Sequence, residues 1–305
     1  MTQKKQSLLS WFILFLLGAV WGSSFILMKI GSKSLGSVEI AALRNGIAGA
    51  FVLPFFLRSI KNYTRENWTF LILCALLGNG IPSIFYAYSS KYIDSNINGV
   101  INSLTPIFTL LIGVYFLKIK ISKWSVLGVF IGFMGVFILF FSKGFSSKNL
   151  WIVFLPLVST AMYGTNTNLI KEKLSHLSSF QMLTGIFGVM AIPAMIYLVY
   201  AQIWHYIHWE YFSFKIWQTP INEMQKEMFS FSAIFLLGFM NSFLSSLLFY
   251  YFLRRTSAIF ASMTTYLIPI MSIFWVFMDG ESIGWFHAMS LSLILLGVFM
   301  VSKRK

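Results

Sequence analysis

Charged side chains are scarce in this 305-residue sequence. They make up 10% of it, against about 25% in a typical soluble protein. Hydrophobic residues make up 57%, including thirty-three phenylalanines and ten tryptophans. A soluble core could not absorb so much apolar surface. The composition therefore excludes a water-soluble globular protein. It predicts an all-α integral membrane protein, because helices satisfy their backbone polar groups inside each lipid-embedded segment.

Groups that hold metals or nucleotides are also rare. Cys74 is the sole cysteine, which excludes an internal disulfide and a cysteine-rich metal site. The sequence contains no G-x-x-x-x-G-K segment, so no ATP-binding loop is visible. His205 and His208 are spaced for one helix face, but Glu210, the nearest acid, would point elsewhere. We therefore expect interface residues there, no metal site and no cofactor.

Ten apolar windows follow one another along the chain, each long enough to cross a bilayer. They lie near residues 8–30, 37–57, 68–88, 96–117, 124–141, 150–170, 178–200, 231–252, 258–278 and 284–302. The first window runs for about 20 residues, longer than the apolar region of a signal peptide. It therefore predicts an uncleaved first span. The pattern as a whole predicts ten transmembrane helices.

Lysine and arginine are distributed unequally between the two sides that ten crossings define. With a cytoplasmic N-terminus, fifteen lie on the inner side and six on the outer side. The excess of positive charge inside predicts that both termini are cytoplasmic in a bacterial plasma membrane. The basic residues form short clusters between apolar runs, which is typical of membrane-surface loops and does not indicate nucleic-acid binding.

The two halves of the sequence, 1–143 and 144–305, resemble each other. NSLTPIFTLLIGVYFL at 102–117 matches TTYLIPIMSIFWVFMD at 264–279. Early positions correspond at an offset of 142 and later ones at about 163. An insertion near 201–230, rich in tryptophan and tyrosine, accounts for the difference and predicts an amphipathic segment on the outer surface.

Each half contains five predicted spans, an odd number, so the second half must cross the membrane upside down relative to the first. Inverted repeats of this kind are typical of transporters that expose a central site to each side in turn. Pro106 and Pro269 occupy equivalent positions in the two halves. Because proline frees a backbone carbonyl and allows bending, both are candidate hinges.

The motifs resemble those of the EamA-type transporters of the drug/metabolite transporter superfamily. The matching segments are WGSSF at 21–25 followed by Lys29, LRNGIAGAFVLP at 43–54, LTPIFTLLIGVYFL followed by LGVFIGFMGVFIL, and Gly280-Glu281. Lys118 stands where the first half of the family pattern has glutamate. The resemblance implies ten helices in two inverted five-helix EamA repeats, and the export or facilitated movement of small metabolites.

Polar residues recur every three or four positions along several windows, which places them on single helix faces. We interpret these faces as the lining of a central cavity, although serine, threonine and asparagine also join helices in membranes. The candidate substrate-binding residues are Trp21, Arg44, Asn79, Ser83, Tyr86, Asn98, Asn102, Tyr163, Asn166, Asn241, Ser245, Thr265 and Tyr266.

Arg44 lies about 10 Å inside its span, at 1.5 Å per residue. It is expected either to bind a substrate carboxylate with its planar guanidinium or to brace helix ends whose last carbonyls lack partners. Glu39 is about 140° away around the same helix. Its carboxylate is a candidate proton carrier if buried, or an exposed group favoured at a helix N-terminus by the dipole.

The sequence favours a secondary transporter or facilitator that exports small amphipathic metabolites such as amino acids. Its expected partners are a small-molecule substrate, the lipid bilayer and, for coupling, protons. The chain is expected to be a monomer or a homodimer. A membrane scaffold or accessory subunit is the alternative, and an intramembrane enzyme is a weaker one because no converging catalytic groups are visible at depth.

Overall fold

The fold is known from a computed structural model, which describes residues 3–93, 95–142, 150–201, 221–271 and 285–302. Within these ranges the ordered elements are helices. The α-helices are α1 (Gln3–Gly22), α2 (Ser24–Gly31), α3 (Ser37–Ser59), α4 (Arg65–Ala75), α5 (Ile81–Ser89), α6 (Ser95–Asn102), α7 (Thr105–Tyr115), α8 (Lys123–Ser142), α9 (Phe154–Lys173), α10 (Ser179–Tyr200), α11 (Ile221–Leu236), α12 (Ser245–Arg255), α13 (Ala258–Ser262) and α14 (Trp285–Ser302).

Two segments between these helices are π-helical, and three are 3₁₀-helical. The π segments are π1 (Leu76–Gly80), which joins α4 to α5, and π2 (Leu237–Leu244), which joins α11 to α12. The 3₁₀ segments are Ile60–Asn62, Leu150–Val153 and Met263–Leu267. Several windows that were predicted to be single α-helices are therefore continuous helical segments in which the helix type changes.

Six helical stretches of the described chain are long and apolar enough to cross a membrane. They are Leu8–Gly31, Ser37–Asn62, Arg65–Ser89, Ile97–Tyr115, Ser179–Tyr200 and Met228–Arg255. Three shorter apolar helices are Lys123–Ile138, Ala258–Met271 and Ala288–Val301, and α9 covers the sixth predicted window. Six membrane-capable helices are thus present in the described residues, whereas ten crossings with inverted halves remain a prediction.

The main helix contacts join the two halves of the chain. α3 packs along α10, and α8 packs along α14. In addition, α1 contacts the 3₁₀ segment Met263–Leu267, while α9 contacts α7. If each helix in these pairs is replaced by the corresponding helix of the other half, the same set of contacts is obtained. Such symmetry is expected for two related halves.

Glycines allow α8 and α14 to approach unusually closely. A Cβ atom on Gly297 would lie 2.5 Å from the carbonyl oxygen of Gly128 and 2.6 Å from the backbone nitrogen of Gly132. Ser290 Oγ donates a hydrogen bond of 2.6 Å to the Gly135 carbonyl across the same contact. Small residues at a helix interface permit such backbone contact, so the glycine stripe of α8 serves packing within the chain.

Short polar motifs fix where several helices begin. Ser178 and Gln181 form a reciprocal capping box at the start of α10, and Thr64 Oγ1 accepts a hydrogen bond from the Asn67 backbone at the start of α4. These bonds satisfy backbone N–H groups that lack partners in the first helical turn. They fix the first turns of α10 and α4.

Candidate functional site

A cavity lies in the middle of the helix bundle, where the regular helices are interrupted. Its walls include residues of π1, π2, the 3₁₀ segment Met263–Leu267 and the two sides of the break between α1 and α2. π-helical turns occur frequently at functional sites. Irregular backbone at membrane depth is tolerated where it is enclosed by protein or lines a wet cavity.

The cavity has an empty volume of about 810 Å³, including the part open to solvent, which is within the usual size of small-molecule sites. The lining combines one cation, amides, hydroxyls and aromatic rings. It comprises Trp21, Ser24, Phe25, Met28, Arg44, Gly78, Asn79, Tyr86, Asn102, Thr105, Tyr163, Asn166, Thr167, Asn241, Ser246, Phe249, Tyr250, Ser262 and Thr265. In the part of the chain that the structure describes, the lining contains no carboxylate.

Arg44 connects the middle of α3 to π2. Its Nε donates a hydrogen bond of 2.7 Å to Ser242 Oγ, and Ser242 is completely buried. Among the described residues, the two terminal nitrogens of the guanidinium have no hydrogen-bond partner. Arg44 also interacts electrostatically with Tyr163 of α9. The described bond goes to a side chain of another helix, and not to the helix-end carbonyls considered for bracing.

The next residue, Asn45, connects the same helix to π1. Its Nδ2 donates to the Asn79 carbonyl at 3.2 Å and to Ser83 Oγ at 3.3 Å. Adjacent residues of α3 therefore contact both π segments, one in each half of the chain. α3 is the element through which Arg44 is held in a fixed position relative to both walls of the cavity.

Aromatic rings form a continuous apolar wall. The Tyr86 and Tyr163 rings stack at 5.9 Å between centroids with an interplanar angle of 8°, and Phe25 lies 5.3 Å from Tyr86. Trp21 lies 5.1 Å from Phe249, and its Nε1 donates to Ser245 Oγ at 2.8 Å. Aromatic side chains with anchored polar ends provide rigid contact surface for an apolar part of a ligand.

The family follows from comparison with known proteins. A family model described as "EamA-like transporter family" matches residues 9–141 and 150–303. The chain belongs to the EamA-like transporter family. This result confirms the resemblance inferred from the sequence motifs, and it makes the protein a membrane transporter.

Three relatives are similar in sequence to this EamA-like chain, two of them over most of its length and one over about half of it. An "Uncharacterized transporter" of Archaeoglobus fulgidus is 24% identical, with 97% of this chain and 99% of that protein covered. "Uncharacterized transporter YcxC" of Bacillus subtilis is 27% identical over 91% of this chain and 87% of its own length. "Uncharacterized inner membrane transporter YedA" of Escherichia coli K12 is 28% identical over 51% of this chain and 53% of its own.

A solved structure described as "Crystal structure of protein" has the same fold. It superposes with a TM-score of 0.68, covers 96% of both chains and is 15% identical in sequence. At this identity the likeness concerns the fold of the EamA-like chain alone. The all-helical architecture therefore also occurs in an experimentally solved protein.

Most of the predicted substrate-binding residues come together in the cavity, whereas four do not line it. The residues that do are Trp21, Arg44, Asn79, Tyr86, Asn102, Tyr163, Asn166, Asn241 and Thr265. Tyr266 instead donates to the Val129 carbonyl at 2.6 Å, and Asn98 bonds Ser89 and Ser90. These bonds join helices, which was the alternative explanation for polar residues in membrane spans.

Ser83 and Ser245 are the other two predicted residues outside the lining. Ser83 Oγ donates to the Gly80 carbonyl at 2.8 Å and accepts from Asn45. Ser245 Oγ donates to the Asn241 carbonyl at 2.5 Å and accepts from Trp21. Both serines therefore hold residues that neighbour the cavity, without facing it themselves.

The predicted proton carrier and hinges lie at helix starts. Glu39 occupies the first turn of α3, with its carboxylate folded against Gly36, the N-cap residue. Pro106 lies in the first turn of α7, and Pro269 in the helical residues 268–271 that follow a 3₁₀ segment. In the first turn of α7, proline is tolerated because its missing N–H would have no intrahelical partner. Proton coupling and hinge motion remain predictions.

The internal repeat could have revealed several lining residues that the sequence analysis missed. Residue 24 plus the early offset of 142 gives Asn166, which was predicted, and its partner Ser24 also lines the cavity. Residue 86 plus the later offset of 163 gives Phe249, which was missed although Tyr86 was predicted. In these two cases a lining residue of one half therefore corresponds to a lining residue of the other half.

Some sequence predictions lie outside the described residues. They concern His205, His208 and Glu210 in the insertion, and Gly280-Glu281 of the family pattern.

Ser242→Ala tests how Arg44 is held in this transporter. Without the hydroxyl, the buried Nε loses its acceptor, and a hydrogen bond from a charged group is worth about 1.5–3 kcal/mol. We expect the KM for flux of a carboxylate substrate to rise about tenfold, with a smaller change in kcat. Ser242→Thr, which keeps a hydroxyl, should restore most of the affinity. Equal KM values for wild type and Ser242→Ala in proteoliposomes would contradict this role.

Proposed function

We propose that this chain is a secondary transporter or facilitator that exports small amphipathic metabolites such as amino acids. It acts by alternating access across the bacterial cytoplasmic membrane, with both termini in the cytoplasm. The observation that carries the proposal is Arg44, a guanidinium at membrane depth that faces a cavity of ligand size. Charged groups inside a membrane are costly and usually functional.

The chemistry of the lining supports an amphipathic substrate. The two terminal nitrogens of Arg44 are suited to a carboxylate, which a guanidinium binds with two parallel hydrogen bonds. The rings of Trp21, Phe25 and Phe249 and the thioether of Met28 supply the apolar contacts. Such a site favours a molecule with one anionic end and a modest apolar body over a sugar or an inorganic ion.

The position of the helix interruptions supports alternating access. π1 and π2 lie in corresponding spans of the two halves, and both border the cavity. The breaks before Pro106 and before Pro269 also correspond. In this mechanism each half bends at its own interruptions, and the substrate site opens first to one side and then to the other.

A membrane scaffold remains the alternative function. A scaffold needs packed helices, but it has no need for a cavity whose amides and guanidinium face the same space. The lining by Asn79, Asn102, Asn166 and Asn241 therefore favours transport.

Uptake into proteoliposomes across a panel of metabolites tests the proposal. Counterflow of labelled amino acids, other organic anions, amines and sugars would be measured with and without a pH gradient. We expect saturable flux of carboxylate-bearing amphipathic compounds. A response to the gradient that disappears in Glu39→Gln would support proton coupling through Glu39, and an unchanged response in that variant would remove it. Absence of saturable flux for every compound would favour the scaffold.

A further inference from the structure

Two buried amide oxygens in the cavity have no hydrogen-bond partner among the described residues. They are Oδ1 of Asn166 and Oδ1 of Asn241. Asn166 is 7% exposed and Asn241 is 2% exposed, and both residues line the cavity. An unpaired buried acceptor is unfavourable and uncommon in folded proteins. The two oxygens together therefore indicate that the cavity receives a group that donates hydrogen bonds.

Both asparagines are near neighbours in sequence of residues that interact with Arg44. Asn241 immediately precedes Ser242, which accepts from Arg44 Nε. Asn166 follows Tyr163, the other neighbour of Arg44, by three residues on the same helix, a rise of about 4.5 Å. The unpaired acceptors therefore belong to the two helical segments that interact with Arg44, and they line the same cavity.

A third unpaired amide oxygen, that of Asn45, differs from these two. Asn45 does not belong to the cavity lining, and its amide nitrogen already joins α3 to π1. The donor-binding site is therefore limited to Asn166 and Asn241.

We propose that Asn166 Oδ1 and Asn241 Oδ1 accept hydrogen bonds from the primary ammonium of the transported molecule while its carboxylate binds Arg44. The inference rests on the proposed transport function and specifies its substrate class as α-amino acids in the zwitterionic form. In these compounds the ammonium and the carboxylate are attached to one carbon, so both groups enter the one cavity that Arg44, Asn166 and Asn241 line.

Neutral acceptors suit this task better than carboxylates. A carboxylate beside Arg44 would form an internal ion pair and occupy the guanidinium that the substrate needs. Amide oxygens attract an ammonium without competing for Arg44. Binding sites built to hydrogen-bond a substrate group strongly reject analogues that lack it, because the buried groups are then left unpaired. The two asparagines are therefore expected to determine specificity.

The test compares amino acids with analogues that lack only the ammonium. L-leucine is paired with 4-methylpentanoate, and L-phenylalanine with 3-phenylpropanoate, and binding to the purified full-length protein is measured by calorimetry. We expect the amino acid of at least one pair to bind at least about 100-fold more tightly than its analogue. In Asn166→Ala and Asn241→Ala, the ratio of the affinity for the amino acid to the affinity for its analogue should fall at least about tenfold. The affinity for the analogue itself should stay within about twofold of the wild-type value.

Asn98→Ala is the matched control. Asn98 is buried like the two site residues, but it is hydrogen-bonded to Ser89 and Ser90 outside the lining. The Asn98→Ala substitution should lower the melting temperature of the ligand-free protein more than either site variant does. It should leave the ratio of the two affinities at the wild-type value. This contrast separates loss of a ligand contact from loss of stability.

The inference and the proposed function can fail separately. If the proteoliposome panel gives saturable flux but each amino acid binds no better than its analogue, the ammonium site is wrong and transport stands. The same holds if the alanine variants keep the wild-type ratio. If no compound is transported at all, the proposed function itself fails.

Discussion

Arg44→Lys is expected to reduce saturable flux of carboxylate substrates at least about tenfold at equal expression. Lysine keeps the positive charge but has a single ammonium group, which cannot reproduce the fork of the guanidinium. Arg44 uses Nε for Ser242 and has its terminal nitrogens left for the substrate. A lysine must give up one of these partners, and each charged hydrogen bond is worth about 1.5–3 kcal/mol.

The loss should appear mainly in kcat/KM measured from initial rates in proteoliposomes. Arg255→Lys provides a matched control, because Arg255 is exposed and lies over the Tyr251 ring at 3.6 Å, outside the cavity lining. It should retain flux close to wild type. If Arg44→Lys transports as well as wild type, neither substrate binding nor the contact with π2 needs the planar fork.

The second large effect is expected from Gly297→Ala, which should destabilise the protein by about 1–3 kcal/mol. The added methyl would meet the Gly128 carbonyl oxygen at 2.5 Å and the Gly132 Cα at 2.7 Å. These atoms belong to the backbone of α8, so no side-chain rotation can relieve the contact and the helices must separate. Helix propensity alone predicts the opposite sign, a gain of about 1 kcal/mol.

Thermal unfolding of the detergent-solubilised protein measures this effect. Gly297→Val should lower the melting temperature further than Gly297→Ala, because its side chain is larger. Leu296→Ala is the neighbouring control, since Leu296 is 47% exposed on the outer surface of α14 and should change the melting temperature little. A melting temperature for Gly297→Ala at or above the wild-type value would show that α8 and α14 are not packed so closely.

The spacing of polar residues along each helix could identify polar faces but not the residues that pack against them. Asn79 and Asn98 belong to faces with the same spacing of three and four residues. Asn79 lines the cavity, whereas the Asn98 amide is hydrogen-bonded to Ser89 and Ser90. Spacing places a residue on a face of its own helix, and which neighbour meets that face depends on how the helices pack.

Equivalent positions in the two halves also predict only part of the cavity lining. Trp21 and Tyr163 correspond in sequence and both line the cavity, so the repeat correctly indicated a shared site. Arg44 breaks this relation, because residue 44 plus the offset of 142 gives Ile186, a fully buried core residue. The positive charge therefore makes the cavity lining asymmetric, and the proposed zwitterionic ligand would have one preferred orientation within it.

The sequence by itself was sufficient to predict the membrane class, the positions of the apolar windows, the family and an arginine inside an apolar window. These properties are local, because hydropathy and motif spacing act within one segment of the chain. Helix packing determines that Arg44 bonds Ser242, that two windows contain π segments, and that Asn166 and Asn241 each have an oxygen without a partner among the described residues. A polar group inside a membrane forms hydrogen bonds with groups on neighbouring helices. Its partner therefore depends on packing between residues that are far apart in sequence.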